Sequence, residues 1–202
     1  MGKRGRKVGA SGEQSRSLLL NIAAETFAEK GYHETKISTI VRKANVTQPT
    51  FYLYFKNKDA IFQELVHHFQ DQLFQLIKQS RMESGLDLNT IDSKITQNLT
   101  AIFTFFKENP NITRIGFYLA KTSNDIKQQL ALKIKENLVK EQQDGYFRSD
   151  IDMSTIADSL IGIIDRLTIT KLFNESKEPE ELGREIVHIL LYGLIINTKK
   201  ET

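Results

Sequence analysis

The segment "NVTQPTFYLYFKNKD", Asn45 to Asp59, puts a proline where a helix should begin, crowds four aromatic rings into five positions and ends on two lysines. Each oddity has a local reason. Thr47 is a good N-cap, and Pro49 at the second helical position loses no intrahelical hydrogen bond, because first-turn nitrogens have no partner. Phe51 and Phe55 stand at i and i+4 and turn inward with Val46, which leaves Gln48, Thr50, Tyr52 and Tyr54 on the other side. Asn45 tolerates φ > 0 and turns the chain into this helix.

Two helices precede it. Leu19, Ile22, Ala23, Thr26 and Phe27 follow a helical repeat and predict an amphipathic helix over about 14–30, stopped by Gly31. A short helix then opens with Thr35 as N-cap and carries Ile37, Ile40, Val41 and Ala44 on one face. Two short helices joined by a tight turn, the second presenting polar groups, form a helix-turn-helix. Gln48 and Thr50 are suited to base edges and Pro49 to a thymine methyl. The tyrosine hydroxyls and Lys58 suit phosphate oxygens.

Charge supports a polyanion partner for this region. Of the 28 Lys and Arg and 25 Asp and Glu in the 202-residue chain, eleven and four fall in residues 1–58. That segment is therefore at +7 and the remainder at −4, although the whole chain shows only +3. No cysteine is present, which excludes disulfides and thiolate metal sites. The longest apolar run, Ile189 to Ile196, is too short to span a bilayer. A cytoplasmic, helical, non-membrane protein is expected.

The stretch from Phe27 to Phe62, "FAEKGYHETKISTIVRKANVTQPTFYLYFKNKDAIF", closely resembles the N-terminal pattern of the TetR family of bacterial transcriptional regulators. Its Gly-Tyr pair, the threonine at the second helix and the Tyr-x-Tyr-Phe-x-x-Lys close carry the resemblance. This implies base-edge roles for Gln48, Pro49 and Thr50, with Ser38 beside them, and phosphate roles for Thr35, Thr47, Tyr52, Tyr54 and Lys58. Asn45 and Pro49 stand where many members have glycine, so the surface facing DNA differs from a glycine-bearing relative. The arm Gly2 to Lys7, "GKRGRK", either enters a minor groove or remains a solvated tail.

The resemblance implies an all-α fold of about nine helices: an arm over 1–13, a DNA-binding domain over 14–58, and a helical effector-binding and dimerisation body over 59–202. Helical spacing after Lys58 agrees, with segments at about Asn89–Glu108, Ile112–Lys121, Asn124–Asp144, Met153–Phe173 and Pro179–Thr198. The first body helix carries Ile61, Leu65, Phe69, Leu73 and Leu76. Gly162 and Gly193 fall inside the last two helices, where glycine costs about 1 kcal/mol and marks close helix approach.

The resemblance makes those two helices the homodimer interface, through Ile156, Leu160, Ile163, Leu167, Ile186, Ile189, Leu190 and Gly193, some of which face their own monomer's core. It also implies an apolar effector cavity among the aromatic middle helices, assigned to Phe103, Phe106, Arg114, Phe117, Tyr118 and Asp165. The function implied is a repressor that binds a palindromic double-stranded DNA operator as a homodimer and is released by a small hydrophobic effector. An activator sharing the DNA module, or a helical adaptor without DNA binding, are the alternatives.

Nothing in the sequence marks an enzyme: G-x-S-x-G, the P-loop, the dinucleotide fingerprint and H-E-x-x-H are all absent. His67 and His68 are adjacent in a helix and so point to different faces, which makes a metal site unexpected. No cofactor is expected.

Overall fold

The computed structural model describes residues 10–194. Among them the chain is all-α, with α1 (Ala10–Glu34), α2 (Ile37–Lys43), α3 (Gln48–Tyr52), α4 (Lys58–Gln79), α5 (Ile91–Glu108), α6 (Pro110–Arg114), α7 (Ser123–Gln143), α8 (Met153–Leu167) and α9 (Pro179–Tyr192). Single π-helical turns follow α6 at Ile115–Leu119 and α8 at Thr168–Leu172. No described helix is long and apolar enough to cross a membrane. The basic arm Gly2 to Lys7 and the expected helix end at Thr198 lie outside the described residues.

Packing divides the chain into two units. One holds the described residues up to Gln70 together with Asn111–Ser123; the other holds Asp71–Pro110 and the described residues from Asn124 onward. This division falls within α4, after Gln70.

In the first unit Leu19, Phe27, Ile40, Phe51, Ile61 and Phe69 are wholly enclosed. Enclosing each such side chain contributes about 1.5–3 kcal/mol relative to leaving it in water. The regular turns of α1 end where expected, at Gly31, whose φ of 78° suits a residue without Cβ. Phe62 meets the Phe27 ring edge-on at 5.0 Å and the Tyr32 ring at 4.8 Å. Arg16 fastens α1 to α4: its Nη2 lies 2.6 Å from both carboxylate oxygens of Glu64, and its guanidinium 5.3 Å from the Phe55 ring. Close approach decides the place of Gly116, where an added Cβ would lie 2.1 Å from the Phe69 ring.

In the second unit α5 packs on α9, and the glycine that permits it is Gly183. A Cβ there would lie 2.7 Å from Thr100 Oγ1 and 3.1 Å from the Thr96 carbonyl. The glycines singled out from sequence behave differently. A Cβ on Gly162 would meet nothing within 4 Å. Gly193 does not sit inside a helix but ends α9, with φ 72°. The start of α9 is well defined: Pro179 occupies its first turn, and Glu178 and Glu181 form a reciprocal capping box.

Candidate nucleic-acid interface and effector cavity

The helix-turn-helix forms through main-chain geometry that its residue types favour. At the end of α2, Asn45 adopts φ 53°, and the Val46 N–H donates to the Val41 carbonyl at 3.0 Å, a left-handed helix stop. Thr47 caps α3 by accepting from the Thr50 N–H at 3.3 Å, and the two threonine hydroxyls lie 2.8 Å apart. Pro49 sits in the first turn, as its missing N–H requires. Phe51 and Phe55 are buried with ring centroids 5.6 Å apart, and they anchor α3.

That anchoring leaves Ser38, Thr47, Gln48, Pro49 and Tyr52 exposed and Thr50 and Tyr54 half-buried. The Tyr54 hydroxyl lies 3.5 Å from where a Cβ on Gly12 would stand, so this ring rests against the start of α1.

Two residues expected to hold phosphates are engaged with main-chain carbonyls in the free chain. Thr35 is buried, and its hydroxyl donates to the Gly31 carbonyl at 2.7 Å. It ties off α1 and faces no solvent; the N-cap position of α2 falls on Lys36. Lys58 is likewise engaged. Its Nζ donates to the carbonyls of Tyr32 at 2.8 Å and Thr35 at 2.9 Å, and it lies 4.3 Å from the Tyr32 ring centroid. Helix C-terminal carbonyls are unpaired and carry partial negative charge, so this ammonium caps α1 from the first residue of α4. The pairing joins residues more than twenty positions apart, beyond the reach of spacing arguments.

In the second unit two adjoining cavities, of about 300 Å³ and about 80 Å³, share Ile95, Leu99, Leu138, Phe147 and Leu160 as lining. The larger adds Met153, Ile156, Val187 and Leu190, with Arg148 and Tyr146 on its border. The smaller ends on polar groups: Ser80, Asn98, Asn137 and Glu141. Glu141 is only 5% exposed; its Oε1 accepts the Met82 N–H at 3.0 Å, and burial pushes its carboxyl above the usual range. A separate groove of about 820 Å³ between α4, α5 and the start of α9 is open and edged by Gln72, Gln75, Gln97, Glu108 and Glu180. The adjoining apolar pair, with few polar groups at one end, has the character of a small-molecule site.

The residues assigned to the effector cavity from sequence do not line it. Phe103 and Phe106 are wholly buried in the second unit, and Phe117 is wholly buried in the first, where it packs against Phe69 at 5.9 Å. Arg114 and Tyr118 belong to the first unit, and Asp165 in the second pairs with Lys127 at 3.1 Å. Aromatic content identified core, since rings bury the most surface per residue. The lining is mostly aliphatic, with Phe147 and Tyr146 as its aromatic members, and was missed. Glu141 was missed as well; its only signal was a charged residue on a face otherwise spaced for burial.

The interface residues divide similarly. Ile186 is 2% and Leu160 8% exposed within a single chain, and the half-buried Ile156 and Leu190 line the larger cavity. Ile163 and Leu167 are half-buried, and Ile189 is 49% exposed, beside the exposed Leu191, Tyr192 and Leu194.

Comparison with known proteins agrees with this architecture. The family model described as "Bacterial regulatory proteins, tetR family" matches residues 19–65. The chain is 40% identical over 186 residues to the uncharacterized HTH-type transcriptional regulator YdgC of Bacillus subtilis, covering 92% of this chain and 95% of that protein. A second B. subtilis protein, the fatty acid metabolism regulator protein, is 26% identical over 87% of this chain and 93% of its own length. Among solved structures, FadR of B. subtilis in complex with stearoyl-CoA superposes with a TM-score of 0.67 at 22% identity, covering 89% of this chain and 99% of that one. The fold and the helix-turn-helix define a DNA-binding transcriptional regulator. The chain belongs to the TetR family of bacterial regulatory proteins.

Proposed function

We propose that this protein is a repressor that binds a palindromic operator as a homodimer and is released by a small apolar effector. The observation that carries the DNA reading is the division of α3: Phe51 is wholly buried, while Gln48, Pro49 and Tyr52 face solvent beside a capped, rigid N-terminus. Gln48, Pro49 and Thr50 read base edges, with Ser38 in support; Thr47, Tyr52 and Tyr54 hold phosphates. A two-fold dimer through the exposed apolar surface of α8 and α9 presents two such helices to a symmetric site.

The effector reading rests on the apolar cavity of the second unit and on relatives named for fatty acid metabolism or crystallised with stearoyl-CoA. An effector shifts the equilibrium only by its differential affinity for the two states. Selection of bound sequences from a random duplex pool tests the DNA reading, with an inverted repeat of half-sites about one helical turn apart as the expected result. An enriched site without two-fold symmetry, or none, would overturn it. Binding should also weaken steeply with salt as released counterions accumulate.

A further inference from the structure

We infer that the cavity of the second unit takes an amphiphile whose buried end is a hydrogen-bond-donating, cationic nitrogen held by Glu141. This deepens the effector reading given above and rests on it. Glu141 projects from α7 into the smaller of the two adjoining cavities and is 5% exposed. Only one of its oxygens is used: Oε1 accepts the Met82 N–H, while Oε2 has no hydrogen-bond partner among the described residues. Its charged neighbours are Arg81 and Asp144, of opposite sign, and both lie on exposed positions.

The groups around it are similarly disposed. Asn98 and Asn137 hold their amide nitrogens on the carbonyls of Ser80 at 2.5 Å and Ile77 at 2.9 Å, and the Ser80 hydroxyl donates to Ile77 at 2.8 Å. Their oxygens remain as acceptors. The second carboxyl oxygen opens on the cavity with no protein donor, and a ligand donor with positive charge matches it best. A ligand carboxylate placed there would meet like charge and no committed cation. Beyond this end, Ile95, Leu99, Leu138, Met153 and Val187 supply an apolar wall for the ligand's body.

Calorimetric titration of the full-length protein at neutral pH with n-octylamine, n-octanol and n-octanoate tests the assignment. These probes share a chain and differ only at the head. Octylamine is expected to bind at least tenfold more tightly than either other probe. The variant E141Q, which keeps an acceptor for Met82, should erase that preference. Octanoate binding as tightly as octylamine, or a preference for the amine that survives E141Q, would overturn the assignment. Operator release is measured separately: Glu141-dependent amine binding that leaves DNA bound retains this inference and overturns effector release, whereas release by octanoate without amine preference does the reverse.

Discussion

The Lys58 ammonium donates to the main-chain carbonyl of Tyr32 at 2.8 Å and stands over the ring of the same residue at 4.3 Å. A cation at a helix C-terminus is held by several carbonyls at once, and losing it leaves them unpaired. Lys58→Ala should therefore lower unfolding stability by about 1–2 kcal/mol, toward the low end for hydrogen bonds to a charged group because Lys58 is only half-buried. Thermal unfolding without DNA measures this. An unchanged midpoint, with uniformly weaker binding to specific and random duplex, would return Lys58 to a phosphate role.

Gln48 and Tyr52 are both exposed on α3, yet their chemistry separates them. Gln48→Ala should cost about 1–3 kcal/mol on the preferred operator and much less on random duplex, because an amide discriminates base edges. Tyr52→Phe removes only a hydroxyl suited to phosphate, so both duplexes should weaken by a similar factor. Fluorescence anisotropy at fixed salt distinguishes the two. Equal effects of Gln48→Ala on both duplexes would contradict the base-edge assignment.

Gly183 and Gly162 make a matched pair. Alanine at Gly183 would press on the α5 backbone at Thr96 and Thr100, and overpacking of that kind costs about 1–3 kcal/mol. At Gly162 a methyl has open space within the chain and improves helix propensity, so Gly162→Ala should leave stability unchanged or raise it by up to about 1 kcal/mol. Denaturant unfolding of both variants supplies the comparison. Destabilisation by Gly162→Ala that grows on dilution would place this face in the dimer contact.

Two carboxyls should give the protein opposite pH responses. Asp152 caps α8, accepting from the Ser154 N–H at 3.0 Å and from the hydroxyls of Ser154 and Thr155, and these donors hold its carboxyl at about 2, against 3.8 ordinarily. Its contribution is present above pH ~4 and is lost as pH falls through about 2. Burial raises Glu141 instead, so the folded state keeps that proton more readily than the unfolded chain. That contribution is present in acid and is lost as pH rises through the elevated value. Asp152→Asn should flatten the acid limb of a midpoint-against-pH curve, and E141Q the limb above the ordinary carboxylate range. No change in either limb would refute the corresponding assignment.

Local rules made the helix-turn-helix readable residue by residue. A left-handed stop at Asn45, a hydroxyl cap at Thr47, a first-turn proline at Pro49 and the i, i+4 pair Phe51 and Phe55 are all short-range requirements, and each stands in the structure as its chemistry demands. Helical periodicity likewise located α5 and α7 to within a few residues and the start of α8 at Met153.

Burial and long-range pairing were not readable in this way. Lys58 and Thr35 have side chains suited to phosphate, yet both satisfy main-chain carbonyls of the α1 terminus, because folding brings those unpaired oxygens beside them. Phe103, Phe106 and Phe117 fill cores, while the paired cavities are lined mainly by aliphatic residues with Phe147, and the smaller one ends on Glu141. Sequence by itself determined which faces are apolar, since periodicity is a property of one helix. Only tertiary structure decided which apolar residues meet neighbours and which border a void, because that depends on how facing helices interdigitate.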